Sequence, residues 1–168
     1  MAQDPNNYWE QLERLEKWIK NSELKAGVVF SFHSLILGLF VDRFDTFKEI
    51  IAEDIPLLII TILWIVSVII SIIFCFRCFR PAMKSKYKTN VFFFKDAARK
   101  FGSVDDYTEE LLKVCGSESE MYKLLAEQIH AESTIIDEKF VNVQRSIQFF
   151  TYSVLFAFLF AGYYAFFV

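Results

Sequence analysis

The stretch Ile55–Phe76, "IPLLIITILWIVSVIISIIFCF", decides the class of this protein. It is 22 residues long and carries no charged side chain. As a helix it rises about 33 Å, enough for a bilayer core of about 30 Å. Pro56 falls in the first turn, where a missing N–H costs a helix little. A second uncharged run of 22 residues, Ile147–Val168, reads "IQFFTYSVLFAFLFAGYYAFFV". Its Tyr163 and Tyr164 lie near one end, where an interfacial aromatic belt belongs.

A third segment, Ala26–Val41, has only 16 uncharged residues, or about 24 Å of helix. Snorkelling by Lys25 and an interfacial Asp42 extend its reach. A buried core helix is the alternative. Spanning is favoured because the charged stretch that follows is short and leads directly into Ile55–Phe76. His33, Ser31 and Ser34 inside it read as helix–helix contacts rather than ligands.

The rest of the composition agrees. Of 168 residues, 54% are apolar and 20 are Phe, and mean hydropathy is positive. Soluble domains hold about 45–50% apolar residues, and the excess here sits in the three segments. With 5 Gly and 3 Pro the chain lacks the punctuation of a many-stranded β protein. A net charge of −3 gives no general attraction to nucleic acid polymers. Three Cys make no disulfide framework. Cys75 and Cys78 have CxxC spacing, but they end an apolar segment without a second pair, so they read as structural thiols rather than a zinc or redox site. The polar start shows no cleavable signal peptide. No Ser-His-Asp set, HExxH or phosphate-cradling glycine loop appears, so the chain does not read as an enzyme and needs no cofactor.

Lys and Arg fix the expected topology. Arg14, Lys17, Lys20 and Lys25 precede the first segment, and Arg77, Arg80, Lys84, Lys86 and Lys88 follow the second. The loop between them has only Arg43 and Lys48 among five acids. The N-terminus is therefore expected in the cytoplasm and the C-terminus outside. The chain divides into 1–24, an amphipathic cytoplasmic helix; 25–42, the first membrane segment; 43–54, a short external loop; 55–77, the second membrane segment; 78–146, a cytoplasmic helical region; and 147–168, the third membrane segment. The fold class is an all-α integral membrane protein with three transmembrane helices.

Three helices are expected in the cytoplasmic region. "NVFFFKDAARKF" (Asn90–Phe101) has Asn90 as a candidate cap and ends at Gly102-Ser103. "SVDDYTEELLKVC" opens on Ser103, with Asp106 three residues on, close to a capping box, and ends at Gly116-Ser117. From Ser117 or Ser119 no Gly or Pro intervenes between Met121 and Ala161. Tyr122, Leu125, Ile129, Ile136, Phe140 and Val143 form one apolar face. This last helix is expected to run unbroken from cytoplasm into membrane. Charge along the region is split. Arg80–Lys100 holds seven Lys/Arg and one acid, whereas Phe101–Lys139 holds three Lys and ten acids. A basic run beside a membrane is ordinarily a topology signal facing anionic lipid, and it also attracts an anionic ligand.

Four short pieces carry a family resemblance: "LKAG" (Leu24–Gly27), "NVFFF" (Asn90–Phe94), "DDY" (Asp105–Tyr107), and "QIHAES" (Gln128–Ser133) followed by Lys139-Phe140. In this order around three spans, they resemble the transmembrane effectors of the bacterial anti-phage system that signals with cyclic pyrimidine mononucleotides, the Pycsar system. The sequence departs from that pattern at Lys95-Asp96, where the family often has Gly-His, and at Leu24, which replaces an Asp. The resemblance implies an effector of the bacterial inner membrane. It would bind cUMP or cCMP made by a partner cyclase, assemble as a homo-oligomer and breach the bilayer in abortive infection.

Such a ligand carries one phosphate charge, a sugar hydroxyl and a base. It needs cations, amide or hydroxyl partners and an aromatic face. Asn90, Phe94, Lys95, Arg99, Gln128, Ser133 and Lys139 can supply these. The plainer reading packs Phe92–Phe94 against the long helix. A ligand-independent scaffold or holin-like oligomer with a protein partner is the alternative function. Under either, Ser, Thr, Gly and His on the spans allow self-association.

Overall fold

Asp54 sets the start of the segment that decides the class. Its side chain accepts a hydrogen bond from the Leu57 N–H at 3.1 Å, Pro56 occupies the first turn, and helix α3 runs Ile55–Phe79. The structure is a computed structural model and describes residues 4–80 and 89–167. Lys84, Lys86 and Lys88 of the basic flank lie outside the described residues.

Around α3 the helices are α1 (Asn6–Asp42), α2 (Phe44–Glu53), α4 (Phe94–Arg99), α5 (Val104–Cys115) and α6 (Glu118–Phe167). No strand occurs among the described residues. Helices α1, α3 and α6 are long and apolar enough to cross a bilayer. The expected all-helical class and three candidate spans are thus both present.

Three element boundaries differ from the sequence reading. The amphipathic Trp9–Leu24 and the uncharged Ala26–Val41 form one helix, α1, with no proline inside it to part them. Residues 43–54, expected as a loop, are mostly helix α2. Phe47 explains the change: its ring meets Phe160 at 5.5 Å and Tyr164 at 5.3 Å, both edge-on, and Ile51 on the same helix is buried. Third, α4 begins at Phe94 rather than Asn90. Asn90 Oδ1 accepts from the Phe92 N–H at 2.9 Å, a local turn that competes with helix. The other two starts are as expected. The Ser103 hydroxyl accepts from the Asp106 N–H at 3.1 Å, and α6 is unbroken.

The chain forms two compact units, the first from residues 1–20 and 82–137, the second from 21–81 and 138–168. The second carries an apolar outer surface over a core that mixes Leu57, Trp64 and Val68 with small residues. On α3 the small polar residues Thr61, Ser67, Ser71, Cys75 and Cys78 are buried, while Ile59, Ile62, Leu63, Ile69 and Ile73 are exposed. Lipid chains accept that outer surface without cost, and small inward residues let helices approach closely. Ser71 donates to the Ser146 carbonyl at 2.8 Å, and Cys75 Sγ lies 3.0 Å from Ser146 Oγ. Ala26, Val29 and Val143 pack beside the two cysteines. His33 is buried, its ring edge-on to Phe150 at 5.0 Å.

Both ends of this unit are fastened by polar contacts to α6. At one end Lys139 Nζ donates to Glu23 Oε1 at 2.8 Å and to the Cys78 carbonyl at 2.6 Å. That carbonyl is among the last four of α3, which have no partner within the helix. At the other end the Tyr163 hydroxyl donates to Asp54 Oδ2 at 3.0 Å.

Candidate functional site

The first unit is organised by a buried pair: Asn90, which the sequence offered as a cap and ligand residue, and Asp96, which it did not propose for either role. Asp96 and Asn90 are 4% and 2% exposed. The Asn90 N–H donates to Asp96 Oδ2 at 3.0 Å, and Lys100 Nζ donates to the same oxygen at 2.9 Å. The Asn90 side chain reaches α6, where Nδ2 donates to the Leu124 carbonyl at 2.7 Å. With Oδ1 on the Phe92 N–H, both ends of its amide are engaged. The turn before α4 is thereby pinned to α6, and the Tyr107 hydroxyl adds a bond from α5 to the Val91 carbonyl at 3.2 Å.

Pinning this turn leaves Phe93 and Phe94 beside a groove of about 420 Å³ between α1, α4 and α6. Small-molecule sites typically occupy about 300–1,000 Å³. Helix α1 contributes Trp9, Leu12 and Ile19 with the acids Glu13 and Glu16, because i, i+3, i+4 and i+7 spacing puts them on one face. Helix α6 contributes Gln128, Glu132 and Ile135 by the same spacing. The Trp9 ring meets Phe92 edge-on at 5.7 Å. The walls are therefore aromatic and aliphatic, with three carboxylates and one amide.

Gln128 is the residue of interest. Its Nε2 donates to Glu132 Oε1 at 3.1 Å, while its Oε1 is buried with no hydrogen-bond partner among the described residues. A buried acceptor without a donor costs about 1–3 kcal/mol. Burial, with the nearby Glu16 charge, holds the Glu132 carboxyl above its ordinary range, and the Gln128 bond only partly offsets this. At the rim, Glu16 pairs with Lys20 at 2.8 Å.

The sequence-predicted residues separate into three groups. Gln128 and Phe94 line the groove. Lys95 and Arg99 are exposed on α4, and Ser133 is half-buried on α6, but none of these three lines the groove. Asn90 is engaged in the turn described above, and Lys139 belongs to the second unit, with Glu23 and Cys78 as partners. Trp9, Glu13, Glu16 and Glu132 were not singled out from sequence. Their signal was the shared face of α1 and the i, i+4 step from Gln128 to Glu132.

A larger cavity, about 720 Å³, lies between α5 and α6, with Lys100, Lys123 and Phe101 among four carboxylates. Its Lys100 is already paired with Asp96, and it holds no buried polar atom without a partner among the described residues. The Gln128 groove is the better candidate.

A family model described as the Pycsar effector protein domain matches residues 7–166 of this chain. The chain is also 30% identical over 148 residues to the Pycsar effector protein PtPycTM of Propioniciclava tarda. That alignment covers 83% of this chain and 69% of the relative. No solved structure matches the chain.

Proposed function

The chain belongs to the Pycsar effector family, and from that premise we propose that it is a membrane effector of anti-phage defence gated by a cyclic pyrimidine mononucleotide. The ligand binds in the first unit, which lies in the cytoplasm. Binding drives self-association, and the assembled spans disrupt the inner membrane and end the infected cell's growth.

The observation that carries the ligand step is the partnerless Gln128 carbonyl oxygen in an aromatic groove. A buried acceptor is retained at a cost unless something completes it. A stacked base with a donor on its edge does so. Assembly follows from arithmetic: three helices per chain enclose no water-filled path, so a lesion requires several copies. Coupling has a physical route, since α1 and α6 each contribute residues to both units.

The test is dye release from liposomes holding the full-length protein, with cUMP or cCMP added on the cytoplasmic side and oligomer size measured in parallel. Nucleotide-dependent release supports the proposal. Release that ignores nucleotide supports a holin-like oligomer instead, and no change in release or size with either nucleotide ends the gated reading.

A further inference from the structure

Resting on that reading, we infer that the Gln128 groove recognises the exocyclic amine of its ligand's base, so that of the two pyrimidine mononucleotides it takes the cytosine-bearing one. Three observations lead there.

The first is the orientation of the Gln128 amide. Its Nε2 faces Glu132 Oε1 at 3.1 Å. A carboxylate only accepts, so the opposite rotamer would set two oxygens against each other. Oε1 is therefore fixed on the far side, buried and without a donor among the described residues. The second is the company it keeps. Glu132, Glu13 and Glu16 line the same groove, and among the described residues no Lys or Arg lines it. The polar character on offer is acceptor. The third is the aromatic wall of Trp9, Phe93 and Phe94, on which a flat ring stacks.

These features divide the ligand. A phosphate at the floor would meet like charge, so the base enters and the phosphate stays at the rim, where Lys20 already attends Glu16. Cytosine presents an N4 amine with two hydrogens where uracil presents the O4 acceptor. One amine hydrogen can meet Gln128 Oε1 and the other a Glu132 oxygen. Uracil O4 in that place would face two more acceptors.

The experiment measures binding of cCMP and cUMP to the full-length protein in detergent by calorimetry, for wild type, Glu132→Gln and Gln128→Leu, with thermal unfolding of each variant as a folding control. Expected is cCMP tighter than cUMP by roughly tenfold or more, the scale of one good base-edge pairing. Glu132→Gln, which adds a donor, should narrow that ratio toward unity. Gln128→Leu should weaken cCMP more than cUMP. Equal or tighter binding of cUMP by wild type overturns the inference while leaving gated activation standing. So does an unchanged ratio in a folded Glu132→Gln protein. Failure of both nucleotides to bind removes the proposed function, and this inference with it.

Discussion

Lys139 Nζ lies 2.8 Å from Glu23 Oε1, although 116 positions separate the two residues in sequence. The lysine side chain is 5% exposed and the glutamate 41%. The two members of the pair should therefore respond unequally to mutation. Lys139→Met strands the Cys78 carbonyl, for which no other partner occurs among the described residues, and should cost about 1–3 kcal/mol. Glu23→Gln keeps an acceptor in place but leaves the buried Lys139 ammonium without its countercharge, which should cost about 3–5 kcal/mol. Thermal unfolding in detergent should show the larger loss for Glu23→Gln, and equal losses would contradict the assignment.

Asn90 and Gln128 look alike in sequence but should behave oppositely. Asn90→Ala removes bonds to Leu124 and Phe92 and should destabilise the ligand-free protein by about 1–3 kcal/mol. A ligand-free Tm equal to wild type would remove Asn90 from its structural role.

Gln128→Leu deletes a buried acceptor that has no donor among the described residues. Ligand-free stability should stay level or rise by up to about 1 kcal/mol, while nucleotide-dependent leakage disappears. Lost stability together with retained leakage would mean that Gln128 serves packing only.

Glu132 supplies a pH signature. Burial holds its carboxyl above 4.5, the ordinary value, so the folded protein keeps that proton to higher pH than the unfolded chain. The folded state then binds more protons between 4.5 and the raised value, and stability falls as pH rises through that window. The Tm of wild type minus that of Glu132→Gln should increase as the buffer is taken from about pH 7.5 toward about pH 5. A flat difference would show that Glu132 titrates normally.

Cysteine exposure tests the orientation. Cys75 and Cys78 are buried and Cys115 is exposed. A membrane-impermeant maleimide should label one cysteine per chain in inside-out vesicles and none in intact spheroplasts. Labelling from outside would reverse the proposed topology.

The spans were legible because their physics is local. An uncharged run of 22 residues at Ile55–Phe76 is sufficient by itself, and Ser103 announced its helix through a cap that touches a residue three positions away. The family, too, was legible: the resemblance read from short pieces such as "NVFFF" and "QIHAES" named the family whose model matches residues 7–166. Asp96 was not legible, because its value comes from Asn90 folding back onto it across six positions. The α1 wall of the groove was hidden for a related reason: Trp9 meets Phe92 more than eighty positions on, and an amphipathic face does not say what it covers. Lys139 looked available for an anion because Glu23 is so distant in sequence.

The polar contacts of the second unit also impose an order on its making. Ser71 and Cys75 to Ser146, Cys78 and Glu23 to Lys139, and Asp54 to Tyr163 all have α6 on one side. During synthesis α1 and α3 precede these partners, and the contacts close only once α6 has been made. Completion of the polar contacts in this unit therefore reports that synthesis has passed Tyr163.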